Sequence, residues 1–165
     1  MGDVMDALTV TPPCVVDLSV LPKERAPCAK CGKKHHIYCG ADLCLTLPPS
    51  HAAALPTVRL PLRLHVLRGK EDPNKATGAH AMLLAPHDTE IYYLPELPEY
   101  KDPSRVLLLY PSPASTPVSE LDVADYDTLL VVDCTWNKVG SVMQNPVFGA
   151  FKHMWVKKEC CRPAD

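Results

Sequence analysis

Nowhere does the sequence run for about 18 consecutive apolar residues, so it predicts no membrane-spanning helix and no membrane partner. Its start, MGDVMDALTVTPP, has neither the basic region nor the long apolar stretch of a secretory signal, and a soluble, non-secreted protein is expected. No internal repeat is present. Positive charge is not in excess either. Lys and Arg number 17 against 19 Asp and Glu, and the net charge of −2 does not suggest a strongly basic nucleic-acid-binding domain. Eight cysteines are too unevenly spread for a disulfide framework, since four fall between residues 28 and 44 and the rest are scattered. A reducing compartment, nucleus or cytosol, follows.

What is present suffices for one domain with a small appendage. The chain has 165 residues and is 47% apolar, enough for a single core. Residues 1 to 26, with Pro12, Pro13 and Pro22 and no sustained periodicity, are expected to be an irregular leader. Residues 27 to 50 hold the clustered cysteines, and residues 51 to 165 form the main domain. Charge is local. Lys23, Arg25, Lys30, Lys33, Lys34, His35 and His36 surround the first cysteines, and Lys152, His153, Lys157, Lys158 and Arg162 crowd the end. Either group could contact phosphates or simply be a solvated face.

Hydrophobic pattern gives the order of elements. In VRLPLRLHVL, Val58, Leu60, Leu62, Leu64 and Val66 alternate with Arg59, Arg63 and His65, which predicts a half-buried strand, and Pro61 favours a sheet edge. Thr77 is expected to cap a short helix through GAHAMLLA that Pro86 ends, and EIYYL reads as a strand. The fully apolar runs Val106 to Leu109 and Leu129 to Val132 suit strands buried on both faces of a largely parallel sheet, so the fold class is α/β. Between them one helical turn is expected at Ser119 to Val123. A helix through NKVGSVMQ and a last strand in KHMWVKK complete the reading.

Cys28, Cys31, Cys39 and Cys44 give C-x2-C and C-x4-C separated by seven residues. Two such pairs joined by a turn can place four thiolates around one tetrahedral zinc, and Gly32 allows the tight turn that aims backbone amides at sulfur. His35 or His36 could replace one cysteine. A redox pair at Cys28 and Cys31 lacks the βαβ setting of thioredoxin-like motifs. Four-sulfur ligation leaves no open position, so this zinc would be structural, and chemistry must come from elsewhere.

Asp133 ends the most apolar run and is followed by Cys134, Thr135 and Trp136. Ligands of open α/β sheets bind outside the carboxyl ends of strands, where a carboxylate is well placed for chemistry. Asp133 or Thr135 could equally cap a helix, and Trp136 could pack on the core.

The Asp133-Cys134-Thr135-Trp136 turn resembles the D-x-T-W signature of DTW-domain proteins. Upstream motifs agree in order: CxxCG, YC with a fourth cysteine, LPL, HAxLLAP, IYxxPxxPEY and LLLYPxP, across residues 27 to 158. The chain thus resembles the nuclear eukaryotic type of tRNA-uridine aminocarboxypropyltransferase. That resemblance implies a SPOUT-like sheet and a nuclear location. It also implies transfer of the 3-amino-3-carboxypropyl group of S-adenosylmethionine to N3 of a D-loop uridine in tRNA. Asp133 would act as base or orient the uridine, Thr135 would belong to the same turn, and Trp136 would stack on a base or on adenine. Tyr110, Pro111 and Ser112 fall where the family's methionine-donor pocket is expected. Cys134 occupies a variable position and receives no role. Family members continue into a further helix, strands and a motif like L-S-T-x-E-A, so the domain is expected to be incomplete here. The alternative function is a noncatalytic zinc module of such an enzyme that binds RNA or protein.

Overall fold

In a computed structural model of the chain, two small hairpins occupy the cysteine-rich segment. Strand β1 (Ala26–Pro27) pairs antiparallel with β2 (Lys34–His35), and β3 (Tyr38–Cys39) pairs antiparallel with β4 (Cys44–Leu45). The described residues are 22 to 156 apart from 54, 71, 74 and 75. Most of the expected leader therefore lies outside them, as do Lys157, Lys158 and Arg162 of the terminal basic group. A single helical turn, α1 (Pro49–Ala52), leads from the hairpins to the main domain.

That domain is a six-stranded sheet of β5 (Arg63–Arg68), β6 (Thr89–Tyr93), β7 (Val106–Leu109), β8 (Thr116–Pro117), β9 (Thr128–Asp133) and β10 (Lys152–Trp155). The spatial order is β6-β5-β9-β7-β10-β8, and every pairing is parallel. Two helices follow strand ends, α2 (Gly78–Leu84) between β5 and β6 and α3 (Trp136–Val142) after β9. The apolar runs at β7 and β9 are central neighbours, as expected of strands covered on both faces. Their starts are tied together by Arg105, whose guanidinium makes a two-pronged bond to the Asp127 carboxylate at 2.6 and 2.8 Å. Instead of one turn at Ser119 to Val123, two short 3₁₀ turns form, Val118–Glu120 and Val123–Asp125.

The first strand differs from its sequence reading. β5 starts at Arg63 and lies between β6 and β9, not at an edge. Pro61, which has no N–H to give a ladder, stands before the strand and not within it. Residues 58 to 60 are drawn elsewhere: the Val58 N–H donates to Leu84 O, the Leu60 N–H donates to the Asp88 carboxylate, and Arg59 pairs with the same carboxylate at 3.0 Å. From His65 to Arg68 all four side chains are buried, including Arg68 and also His65, which alternation assigned to an outer face.

Leu67, Val106, Leu108, Leu130, Phe148 and Phe151 form the core. Phe148 lies in a 3₁₀ segment, Pro146–Ala150, that carries the chain from α3 to β10. His65 reaches this region through the Tyr100 hydroxyl, 2.8 Å from its Nδ1, and stacks on the same ring.

Burial pushes the pKa of His65 below the ordinary imidazole range, with Glu90 partly opposing. Above about pH 6.5 both folded and unfolded forms are neutral here, and below it the unfolded chain takes up the proton first. Stability should therefore fall as pH drops below about 6.5. Urea denaturation at pH 7.5 and 5.5 checks this: the advantage of the wild type over His65→Gln should shrink at the lower pH.

Candidate functional site

The cysteine hairpins bring their sulfurs together. Cys28 follows β1, and Cys39 and Cys44 face each other across the β3–β4 pair. Gly32, with φ of 72°, closes the first turn, and its N–H donates to Cys28 O at 2.9 Å. The Lys30 N–H points at Cys28 Sγ, 3.4 Å away. Backbone N–H groups, that of Cys31 foremost, hold the Cys28 thiol below its usual pKa against the effect of burial. Burial raises the Cys44 thiol.

Sulfur spacing is the test of fit to a metal. Cys28 and Cys44 Sγ lie 3.6 Å apart, and Cys31 and Cys39 Sγ lie 3.7 Å apart. Four sulfurs at about 2.3 Å from a tetrahedral zinc stand about 3.8 Å from one another, so both pairs match edges of that tetrahedron. The sequence reading missed Asp42. Its Oδ2 accepts from Cys28 and Cys39 Sγ, each at 3.2 Å, and its carboxyl pKa is lowered by the Cys31 thiol and by these two. Cys28, Cys31, Cys39 and Asp42 form a group able to hold a metal ion, with all ligand atoms within 4.8 Å of one another. The structure thus offers Asp42 beside Cys44 as a fourth ligand. The turn that presents both has Leu43 at φ 49°, a left-handed conformation rare for a residue with a side chain.

The second feature is a cleft at the carboxyl ends of the strands. β5 continues to β6 on one side of the sheet, whereas β9 continues past β7 to β10 on the other. Parallel sheets open a crevice where neighbouring strands part in this way. It measures about 500 Å³ and is walled by Gly69 and Lys70 after β5, Leu94 and Pro95 after β6, Cys134 after β9, and Lys138, Ser141 and Val142 of α3. Its size falls in the range of small-molecule sites. The walls are largely apolar, and the two lysines supply its cationic side chains.

Asp133 ends β9 one residue before Cys134 and is not among the walls of the cleft; its Oδ2 accepts the Gly78 N–H at 2.8 Å. Helix α2 is thereby capped by a residue 55 positions later in the chain, not by the Thr77 side chain. Only glycine fits at position 78. A Cβ there would lie 2.6 Å from Val66 Cγ1 and 2.9 Å from the Asp133 carboxylate. Thr135 is the N-cap of α3, and its hydroxyl donates to Asn137 Oδ1 at 2.7 Å. Trp136 does not pack on the core, being 81% exposed in the first turn of α3.

Tyr110, Pro111 and Ser112 follow β7 at the same end of the sheet, and they are not among the walls of the cleft. Tyr110 packs against the core. The Ser112 hydroxyl is 3.0 Å from His153 Nδ1, and His153 Nε2 is 2.9 Å from Phe148 O.

Comparison with known proteins agrees with the motifs. The chain is 32% identical over 114 residues to tRNA-uridine aminocarboxypropyltransferase 1 of Mus musculus, 66% of this chain and 37% of the relative. The protein of the same name from Xenopus laevis is 30% identical over 121 residues, 72% of this chain and 41% of the relative. That from Xenopus tropicalis is 34% identical over 100 residues, 59% and 34% respectively. The chain is a homologue of the tRNA-uridine aminocarboxypropyltransferases. It spans between a third and about two-fifths of the length of these curated relatives. No family model and no solved structure matches it.

The metal group and the switch-point turn can each be tested. Metal analysis of purified variants should show loss of bound zinc in Cys28→Ser and Cys39→Ser. Comparison of Cys44→Ser with Asp42→Asn identifies the fourth ligand, since only its removal should abolish tight binding. For the turn, Gly78→Ala should destabilise the fold by about 1–3 kcal/mol in a denaturant titration, the usual cost of overpacking.

Proposed function

We propose that this chain is the cofactor- and nucleotide-binding part of a tRNA-uridine aminocarboxypropyltransferase. It would take the 3-amino-3-carboxypropyl group from S-adenosylmethionine and place it on N3 of a D-loop uridine. The observation that carries this reading is the cleft at the β5–β9 switch point in a chain homologous to enzymes of that name. Its apolar walls suit an adenosine or a uracil ring, and Lys70 and Lys138 suit the carboxylate of the methionine portion.

Transfer requires the uracil N3 to lose its proton and attack the methylene beside the sulfonium. The carbon–sulfur bond then breaks, and methylthioadenosine leaves with the bonding pair. Asp133 is our candidate for receiving the N3 proton or for fixing the uridine. Its Oδ2 is anchored on the Gly78 N–H, so the carboxylate is held in place, and the next residue, Cys134, walls the cleft. Exposed Trp136, near the cleft residue Lys138 in the first turn of α3, is the stacking surface for the base or for adenine. Tyr110, Pro111 and Ser112 remain our proposed donor contacts, at the same end of the sheet as the cleft.

Zinc, held by Cys28, Cys31, Cys39 and either Cys44 or Asp42, would have a structural role, because four protein ligands leave no site for substrate. Thiolates in that state need a reducing compartment, and we place the protein in the nucleus, with the cytosol as alternative.

Mass measurement of a tRNA transcript after incubation with S-adenosylmethionine and the protein tests the reaction. Addition of the whole aminocarboxypropyl group is expected, and addition of a methyl group alone would exclude it. RNA binding without transfer would favour a noncatalytic zinc module. In an enzyme extended by the remainder of its relatives' length, Asp133→Asn should lower kcat by about 10²–10⁴-fold if the carboxylate moves the proton. It should lower thermal stability only slightly, because Asn keeps an acceptor for the Gly78 N–H. Full activity of that variant would remove Asp133 from the chemistry.

A further inference from the structure

The hairpins that carry the cysteines also form a second, smaller cleft, of about 270 Å³, walled by Arg25, Lys34, His35, His36, Ile37 and Tyr38. No carboxylate is among its walls. In a chain of net charge −2, residues 23 to 36 hold five Lys and Arg against the single Glu24. Arg25, Lys34 and His36 are exposed, and Tyr38 presents an aromatic ring whose position is set edge-on by His80 at 4.7 Å. Cations around an aromatic and an aliphatic floor match a nucleic-acid strand, in which phosphates alternate with flat bases.

The location adds to the chemistry. Arg68, the last residue of β5, donates to Gly40 O at 3.1 Å and so fastens the hairpins to the carboxyl end of the sheet. The next two residues, Gly69 and Lys70, wall the larger cleft. His80, which abuts Tyr38, belongs to α2, whose first N–H is held by Asp133. Both clefts are thus fixed to the same end of one sheet.

We propose that the cleft at Arg25, Lys34, His35, His36 and Tyr38 grips the phosphodiester backbone of an RNA strand, one nucleotide of which enters the cleft at the sheet. The proposal rests on the tRNA reading above. It assigns the grip to the zinc-bearing hairpins and not to the transfer site.

Filter binding of an unmodified tRNA transcript to the zinc-loaded full chain, across a series of salt concentrations, tests it. The double substitution Arg25→Glu, Lys34→Glu should weaken binding at least tenfold. It should also flatten the slope of log affinity against log salt by about 0.7 for each phosphate that is no longer neutralised. Zinc content should be unchanged, and Lys101→Glu, an exposed lysine of the main domain, should leave binding as it was. Unaltered affinity and slope in the double variant, with zinc retained, would overturn the proposal, even if transfer to tRNA is demonstrated. Loss of binding to an acidic polypeptide but not to RNA would overturn it in favour of a protein partner. Conversely, RNA binding that depends on Arg25 and Lys34 in a protein without transferase activity would uphold this site while the activity reading fails.

Discussion

Arg68 joins the two parts of the molecule. Its side chain is 2% exposed, its guanidinium donates to Gly40 O in the cysteine hairpins and to Pro73 O in the loop leading to α2, and its carbon centre lies 5.7 Å from the Tyr93 ring. Burying a guanidinium is expensive unless its donors are used, and each hydrogen bond from a charged donor recovers about 1.5–3 kcal/mol. The fixed fork of N–H groups lets one residue satisfy two distant carbonyls at once. The hairpins are too small to have a core of their own. Their orientation on the sheet depends on this residue and on the Tyr38–His80 contact.

A second long-range interaction acts at the same end of the sheet. Asp133 of β9 holds the start of α2, and Gly78 makes the approach possible by lacking a side chain. The parallel register of β5 and β9 sets Arg68 opposite Asp133, so both interactions lie on one rung of the sheet. The next residues of the two strands, Gly69 and Cys134, line the larger cleft. Trp136 and the two lysines stand on loops and on a short helix, where freedom to move is greater.

The cysteine cluster has five candidate ligands for four positions. Asp42 lies between Cys28 and Cys39 and makes the charge of the group more negative than four cysteines alone. Bound metal would balance that charge and add folding energy to hairpins whose strands are only two residues long. The backbone at Leu43 is held in a left-handed conformation by the same turn. Such strain persists where the surrounding structure over-determines the geometry.

The order of elements was legible in the chain because each depends on near neighbours. Continuous apolar runs gave β7 and β9, Thr77 and Pro86 bracketed α2, and the spacing of Cys28, Cys31, Cys39 and Cys44 predicted that their sulfurs would meet. The motif order, CxxCG through D-x-T-W, pointed to the same kind of enzyme as the homologues. Pairing was not legible. Alternation from Val58 to Leu67 suggested a half-buried strand and Pro61 an edge, but whether a polar side chain such as Arg68 or His65 faces water depends on which elements cover it, and those lie 28 and 35 residues away at Gly40 and Tyr100. Asp42 carried no spacing signal, and the capping of α2 by Asp133 spans 55 residues. Local pattern fixes what each segment becomes, because helix and strand are decided by periods of a few residues. Only the folded chain decides which charges are buried and which side chains share a cleft, because those are properties of neighbours brought together by the sheet.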